Sequence, residues 1–145
     1  MIIIKDGMET KGNHIGERIL KMEGDYMDLK DIMQEKVFAV VGDTLNEEKY
    51  AYKIKNELTE HGYKVYSVGK ELPSINDVPD SIDVIDLCIH PSKGLKLLKE
   101  CNKDYKYILI QPGAESQEIL EYLDKTHTPY LEGCALVGVR LYCKE

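Results

Sequence analysis

Four short stretches hold residues whose types and spacing could do chemistry. In Gly42-Asp43-Thr44, Gly42 allows a close backbone approach, Thr44 offers a hydroxyl, and the amides opening the next helix would complete a seat for phosphate. Asp43 and Glu47 oppose an anion there, and a structural turn explains the same residues. The stretch matches neither G-x-G-x-x-G nor G-x-x-x-x-G-K-[ST], so both the dinucleotide fingerprint and the P-loop are absent. His90-Pro91-Ser92 brings an imidazole that could titrate or touch phosphate, although a histidine in a loop is more often plain polar surface. In Gln111-Pro112-Gly113-Ala114-Glu115-Ser116, Gln111 can use its amide and Gly113 leaves room for a ligand, but a sharp turn accounts for the pattern equally well. Cys134, after Glu132-Gly133, is either a thiol facing a pocket or a small buried side chain, and no neighbouring base activates it. The sequence presents no Ser-His-Asp order, metal-ligand cluster or paired carboxylates.

The elements around these stretches decide whether they meet. Apolar runs at Val37-Phe38-Ala39-Val40-Val41, Val65-Tyr66-Ser67-Val68, Val84-Ile85-Asp86-Leu87-Cys88-Ile89 and Tyr107-Ile108-Leu109-Ile110 are rich in residues suited to strands buried on both faces. A fifth strand is expected at Ala135-Leu136-Val137-Gly138-Val139. Helical spacing fills the gaps: Tyr50, Ile54 and Leu58 between Asn46 and His61; Leu95, Leu98 and Cys101 after Pro91; Ile119, Tyr122 and Leu123 between Glu115 and Lys125. Lys93, Lys96, Lys99 and Lys103 lie largely on other sides of the second of these helices, as a solvated surface would have them, with attraction of phosphate as the other reading.

Strands alternating with helices predict an α/β domain, a mostly parallel five-stranded sheet with helices on both faces. Right-handed crossovers place strand 64–68 at one side, then 37–41, 83–89, 106–110 and the last strand. The order reverses beside 37–41. Ligands of open sheets bind outside the carboxyl ends of strands at such a reversal, so the loops beginning at Gly42 and His90 should flank a pocket.

The whole chain has 145 residues, enough for one core and too few for two catalytic domains. Hydrophobic residues make up 43% and charged residues 31%, an ordinary globular mix. A formal net charge of -7 argues against nucleic acid or an anionic membrane as a partner, so any anionic ligand needs a local pocket. No stretch has the length of a membrane span or of a signal-peptide core, and the four cysteines form no C-x-x-C pair, which together predict a cytoplasmic protein with reduced thiols.

Residues 1–27 fit the pattern poorly. Met1–Lys5 reads as a strand and Ile15–Met22 as a short helix, an arm that covers an edge or contacts a second subunit in a homodimer. The other reading is a start assigned too early, with Met27 leading directly into a helix at Asp28-Leu29-Lys30-Asp31-Ile32-Met33. The organised domain is expected at 28–145. It keeps 15 Lys plus Arg against 21 Asp plus Glu, so the acidity does not come from the leader.

Taken in order, the motifs resemble those of the small stand-alone CoA-binding proteins, whose Rossmann-like domain is similar to the CoA-binding domain of the succinyl-CoA synthetase alpha subunit. Asn46-Glu47-Glu48-Lys49-Tyr50-Ala51-Tyr52-Lys53 resembles N-P-E-K-Y-G-Y-[KR], and Leu72-Pro73-Ser74-Ile75-Asn76-Asp77-Val78-Pro79 resembles Y-P-S-L-x-D-[IV]-P. Asp83-Val84-Ile85-Asp86-Leu87 resembles D-V-V-D-[IL], Gln111 to Ser116 matches Q-P-G-A-E-S, and Cys134-Ala135-Leu136-Val137 stands where C-[IL]-M-V is usual. The resemblance covers roughly Asp28 to Val139. It implies a three-layer fold and a pocket for the adenosine and phosphates of CoA. In that pocket Gly42 and Thr44 would approach the pyrophosphate, Lys49 and Lys53 would supply charge, His90 and Pro91 would border the nucleotide, and Gln111 and Gly113 would line the crevice. The loop after Val68, Gly69-Lys70-Glu71-Leu72-Pro73, is shorter than in many relatives and lacks their N-P; Lys70 is then a candidate phosphate-facing cation.

The function expected is binding of CoA or an acyl-CoA by a module without a catalytic constellation. Two alternatives stand beside it: a thiol, acyl-transfer or redox enzyme using Cys134, and a regulatory protein whose ligand site has degenerated.

Overall fold

The computed structural model describes residues 21–22, 25–26 and 28–142. The strand expected at Met1–Lys5 and the thiol of Cys143 lie outside them. Of the helix expected over Ile15–Met22, the described part is extended instead: β1 (Lys21–Met22) pairs antiparallel with β2 (Asp25–Tyr26), which takes up backbone bonds that a helix would have used internally.

From Asp28 the chain follows the alternation of the sequence: α1 (Leu29–Met33), β3 (Val37–Gly42), α2 (Tyr50–Glu60), β4 (Lys64–Gly69), β5 (Val84–Cys88), α3 (Pro91–Glu100), β6 (Tyr107–Ile110), α4 (Gln117–Lys125), β7 (Tyr130–Glu132) and α5 (Ala135–Tyr142). The five strands β4-β3-β5-β6-β7 form one sheet in which every pairing is parallel. The reversal falls beside β3, as expected.

Period-two alternation divides the core between the faces. Phe38, Val40, Val84, Leu109 and Leu131 meet Leu29, Ile32 and Met33 of α1, Ala51, Ile54 and Leu58 of α2, and Ala135 and Val139 of α5. Ala39, Val41, Ile85, Leu87, Ile108, Ile110 and Tyr130 meet Leu98 of α3 and Ile119 and Leu123 of α4. The result is the three-layer, Rossmann-like arrangement. Caps set the helix starts locally: Asp28 and Asp31 form a reciprocal capping box on α1, and Ser116 accepts from the amide of Ile119 at the head of α4. That cap moves the start of α4 two residues past the expected Glu115.

The fifth strand is a correction. Ala135–Val139 is helix, and the edge strand is the shorter Tyr130–Glu132, paired with Ile108–Ile110. The apolar, β-branched run suggested extension, but Ala135, Gly138 and Val139 are its buried positions, a spacing that puts them on one helical face. That face closes on α1. A Cβ at Gly138 would stand 2.6 Å from Met33 Sδ and 2.8 Å from its Cγ, so the absent side chain is what lets the two helices touch. Tyr63 fixes the neighbouring carbonyl, its hydroxyl donating to Met33 O at 2.7 Å while its ring stands edge-on to Phe38.

Gly138→Val should therefore cost about 1–3 kcal/mol of folding stability through overpacking. In urea unfolding, Met33→Ala should cost less on the Gly138→Val background than alone; equal costs on both backgrounds would show that the two side chains do not compete for this space.

Candidate functional site

At the carboxyl ends of β3, β5 and β6 the chain leaves a cleft of about 450 Å³, within the range of small-molecule sites. Asp43, Lys49 and Tyr50 form one wall, Cys88, His90 and Lys93 another, and Gln111, Gly113 and Cys134 the rest. The geometry that opens it begins at Gly42, which pairs with Gly69 on one side and Cys88 on the other. Its φ is +158°, and a Cβ there would stand 2.5 Å from Cys88 O and 2.9 Å from Ala51 Cβ. Only a glycine lets α2 and β5 come this near.

Of the residues singled out in the sequence, Lys49, His90, Gln111, Gly113 and Cys134 come together around the cleft. Pro91 is the first residue of α3, where its missing N–H costs nothing. The bond from Ser92 N to His90 Nδ1, 3.2 Å, places the ring proton on Nε2. Gln111 lines the cleft and accepts the amide of Ala135 on Oε1 at 2.7 Å, which pins the head of α5. Gly113 turns the backbone with φ +94°.

Three residues stand elsewhere. Lys53 lies 5.5 Å from the centre of the Tyr50 ring and lines a groove between α2 and α5, turned there by helical periodicity. Lys70 is exposed in the turn after β4 and is not among the cleft's lining residues. Thr44 is buried, and its hydroxyl donates to Glu71 Oε2 at 2.9 Å. The phosphate seat expected from the loop amides is also differently arranged. The helix begins only at Tyr50, and Asp43 Oδ1 accepts from Leu45 N at 3.1 Å and Asn46 N at 3.2 Å, so the protein's own carboxylate holds two amides of the loop ahead of the helix.

Sequence reading missed Glu71, Asp86 and Cys88, and it set Lys93 on a solvated helix surface in preference to a phosphate contact. Lys93 stands three residues after His90, a spacing that could have placed it on the same wall. The Lys55 ammonium, 3.0 Å from Glu71 Oε2, holds that carboxyl below its ordinary pKa, with the hydroxyls of Thr44 and Ser67 acting the same way against partial burial. Asp86 sits in β5 between Val40 and Leu109, fully buried on the face covered by α1, α2 and α5. Its Oδ1 is 3.6 Å from Cys88 Sγ, while Oδ2 has no partner among the described residues. Burial pushes its pKa up to about 7, and burial likewise pushes the Cys88 thiol up, with the nearby Asp86 and Cys134 adding to it. Cys88 is thus held as a thiol beside the cleft.

Asp86 gives the fold a proton linkage of definite sign. With the folded value raised from about 3.9 to about 7, the folded state holds the proton through this window while the unfolded state does not, so the contribution to stability declines as pH rises from about 4 to about 7 and stays at its lowest above. Asp86→Asn should remove that decline. Denaturant midpoints measured from pH 5 to 8 check it; a decline of the same size in both proteins would assign it to other groups.

The profile of the CoA-binding domain family matches residues 36–140. A conserved hypothetical protein from Pyrococcus furiosus is similar at 30% identity and a TM-score of 0.64, covering 73% of this chain and 99% of its own. A hypothetical protein from Pyrococcus horikoshii OT3 shares the fold at 24% identity and a TM-score of 0.70, with 81% and 94% of the two chains covered. A Thermus thermophilus structure does so at 21% and 0.63, with 79% and 98% covered. No curated protein matches. With motifs, fold and profile agreeing over the same residues, the chain belongs to the CoA-binding domain family.

Proposed function

We propose that the cleft binds CoA or an acyl-CoA, and that the protein works as a binding module, a carrier or sensor of that ligand. The observation that carries this reading is the meeting of Lys49, His90, Lys93 and Gln111 around one cleft at the sheet's reversal, in a member of a CoA-binding family. Lys49 and Lys93 supply positive charge in an otherwise acidic protein, Gln111 and His90 supply hydrogen-bonding groups, and Gly113 keeps its wall free of a side chain. Those groups suit a phosphate-rich ligand with a long polar arm. Asp43 opposes the phosphates where it holds the loop amides, so the two lysines must outweigh it.

No helix among the described residues is long and apolar enough to cross a membrane, and no group of three or more His, Cys, Asp or Glu among them could hold a metal ion. The ligand proposed needs neither.

Calorimetric titration of ligand-free protein with CoA tests the reading. Saturation at about 100 times the dissociation constant should raise stability by about 2.7 kcal/mol, visible as a higher melting temperature. Lys49→Ala and Lys93→Ala should each weaken CoA by about three- to tenfold and flatten the salt dependence. Absence of both heat and stabilisation at millimolar CoA would reject binding.

A further inference from the structure

Two thiols and a buried acid meet at the cleft, and ligand binding gives none of them a task. Cys88 and Cys134 are both half-buried and both line the cleft, one at the end of β5 and the other just ahead of α5. They stand on the same side of the sheet. Cys88, two residues after Asp86, packs against the cluster covered by α1, α2 and α5, and the bond from Ala135 N to Gln111 Oε1 ties the head of α5 over that face. Cys134 is one of the groups that push the Cys88 thiol up, which places the two sulfurs in one electrostatic neighbourhood. Cys101 belongs to the opposite face, where its sulfur donates to Lys103 O at 3.6 Å.

The surroundings of the two thiols differ. The Cys134 carbonyl accepts from Gly138 N at 3.0 Å, which makes Cys134 the first residue of the turn that opens α5, and the cleft around it holds Lys49 and Lys93. A helix N-terminus and nearby ammonium groups favour the negative charge that an attacking sulfur carries. Cys88 is held as a thiol, its Sγ 3.6 Å from Asp86 Oδ1 and 3.7 Å from Asp86 O. Asp86 Oδ2 has no partner among the described residues. On that covered face the titratable neighbours are Tyr63, Tyr107 and Tyr142, and across the cleft the thiols face Asp43, Lys49, Tyr50, His90 and Lys93. Asp86 therefore meets no cation among the described residues, and it exchanges its proton near neutral pH, where a general base is most useful.

We infer that the cleft is a thiol–disulfide exchange site for a low-molecular-weight disulfide, in which Cys134 attacks and Cys88, with Asp86 as its base, resolves. The inference goes beyond the binding reading and does not rest on it. The sulfur of Cys134, its proton lost to solvent, attacks one sulfur of a disulfide RSSR. That S–S bond breaks, a bond from Cys134 to SR forms, and RS⁻ leaves and takes a proton from solvent. Asp86 then takes the proton of Cys88, whose sulfur attacks Cys134 Sγ and expels the second RS⁻. The proton on Asp86 balances the one that this second thiolate takes from solvent. Two RSH and a Cys88–Cys134 disulfide result, so RSSR is reduced by two electrons and the pair of thiols oxidised by two.

Incubating the full, reduced chain with glutathione disulfide, with intact masses and peptide maps as the readout, tests the inference whether or not CoA binds. The parent protein should lose two hydrogens, keep no lasting adduct and join Cys88 to Cys134. Cys88→Ala should instead keep one glutathione on Cys134, and Cys134→Ala should show neither adduct nor cross-link in the cleft. Asp86→Asn should slow the resolving step at about pH 7 by on the order of tenfold or more, and the gap should close towards about pH 10, where thiols ionise without a base. A thiol merely displaced by the substitution would be slow at every pH. Melting temperatures near that of the parent protein establish that the variants are folded. An adduct that persists on Cys134 in the parent protein, a first adduct on Cys88, or protection of both thiols until urea unfolds the chain overturns the inference. So does an unchanged resolving rate at about pH 7 in folded Asp86→Asn. CoA disulfide, run beside glutathione disulfide, identifies the thiol: faster reaction marks CoA as the one exchanged, and slower reaction marks a smaller thiol.

Discussion

Where β3 ends, three backbones converge with almost no space between them. Gly42 pairs with Gly69 and with Cys88, and a Cβ at Gly69 would itself stand 3.0 Å from Gly42 O. The strands on either side of β3 carry the chain to opposite flanks, so this contact is the hinge of the sheet's order as well as the floor beside the cleft. A side chain there would push β5 or α2 outward, and the walls carrying His90 and Lys49 would move with them. The position of the site therefore depends on packing of main chain on main chain more than on any polar group that faces a ligand.

Much of this architecture is legible in the residues. Runs such as Val37–Val41 and Tyr107–Ile110 are apolar at consecutive positions because both sheet faces are covered, and parallel pairing follows from the helices between them. Ala135–Val139 misled because its β-branched residues suit strand and helix alike over five positions. The deciding contact, Gly138 against Met33, joins residues more than a hundred positions apart. Tyr130–Glu132 was hidden by its length.

The site was legible to the extent that it depends on strand ends. Gln111 follows its strand directly and His90 stands two residues past the end of β5, so topology brings them to one rim. Lys53 and Lys70 depended on which way a side chain turns, and motif position carries no such information. Thr44 was read as offering its hydroxyl to a ligand, but in the folded chain that hydroxyl donates a hydrogen bond to Glu71, while Asp43, read as opposing an anion, accepts from two loop amides. The partner of Thr44 is set by a turn that closes 27 residues further on. No spacing rule reaches that far.

The buried acid of β5 also affects how the protein must be measured. Because Asp86 keeps a proton in the fold at about pH 5 to 6 that the open chain has already given up, each unfolding event in that range releases close to one proton to the solvent. The heat absorbed then includes the heat of protonating whatever buffer receives it. Two calorimetric scans of this protein in buffers of different ionisation enthalpy would report different enthalpies for one and the same transition, and the difference counts the protons released.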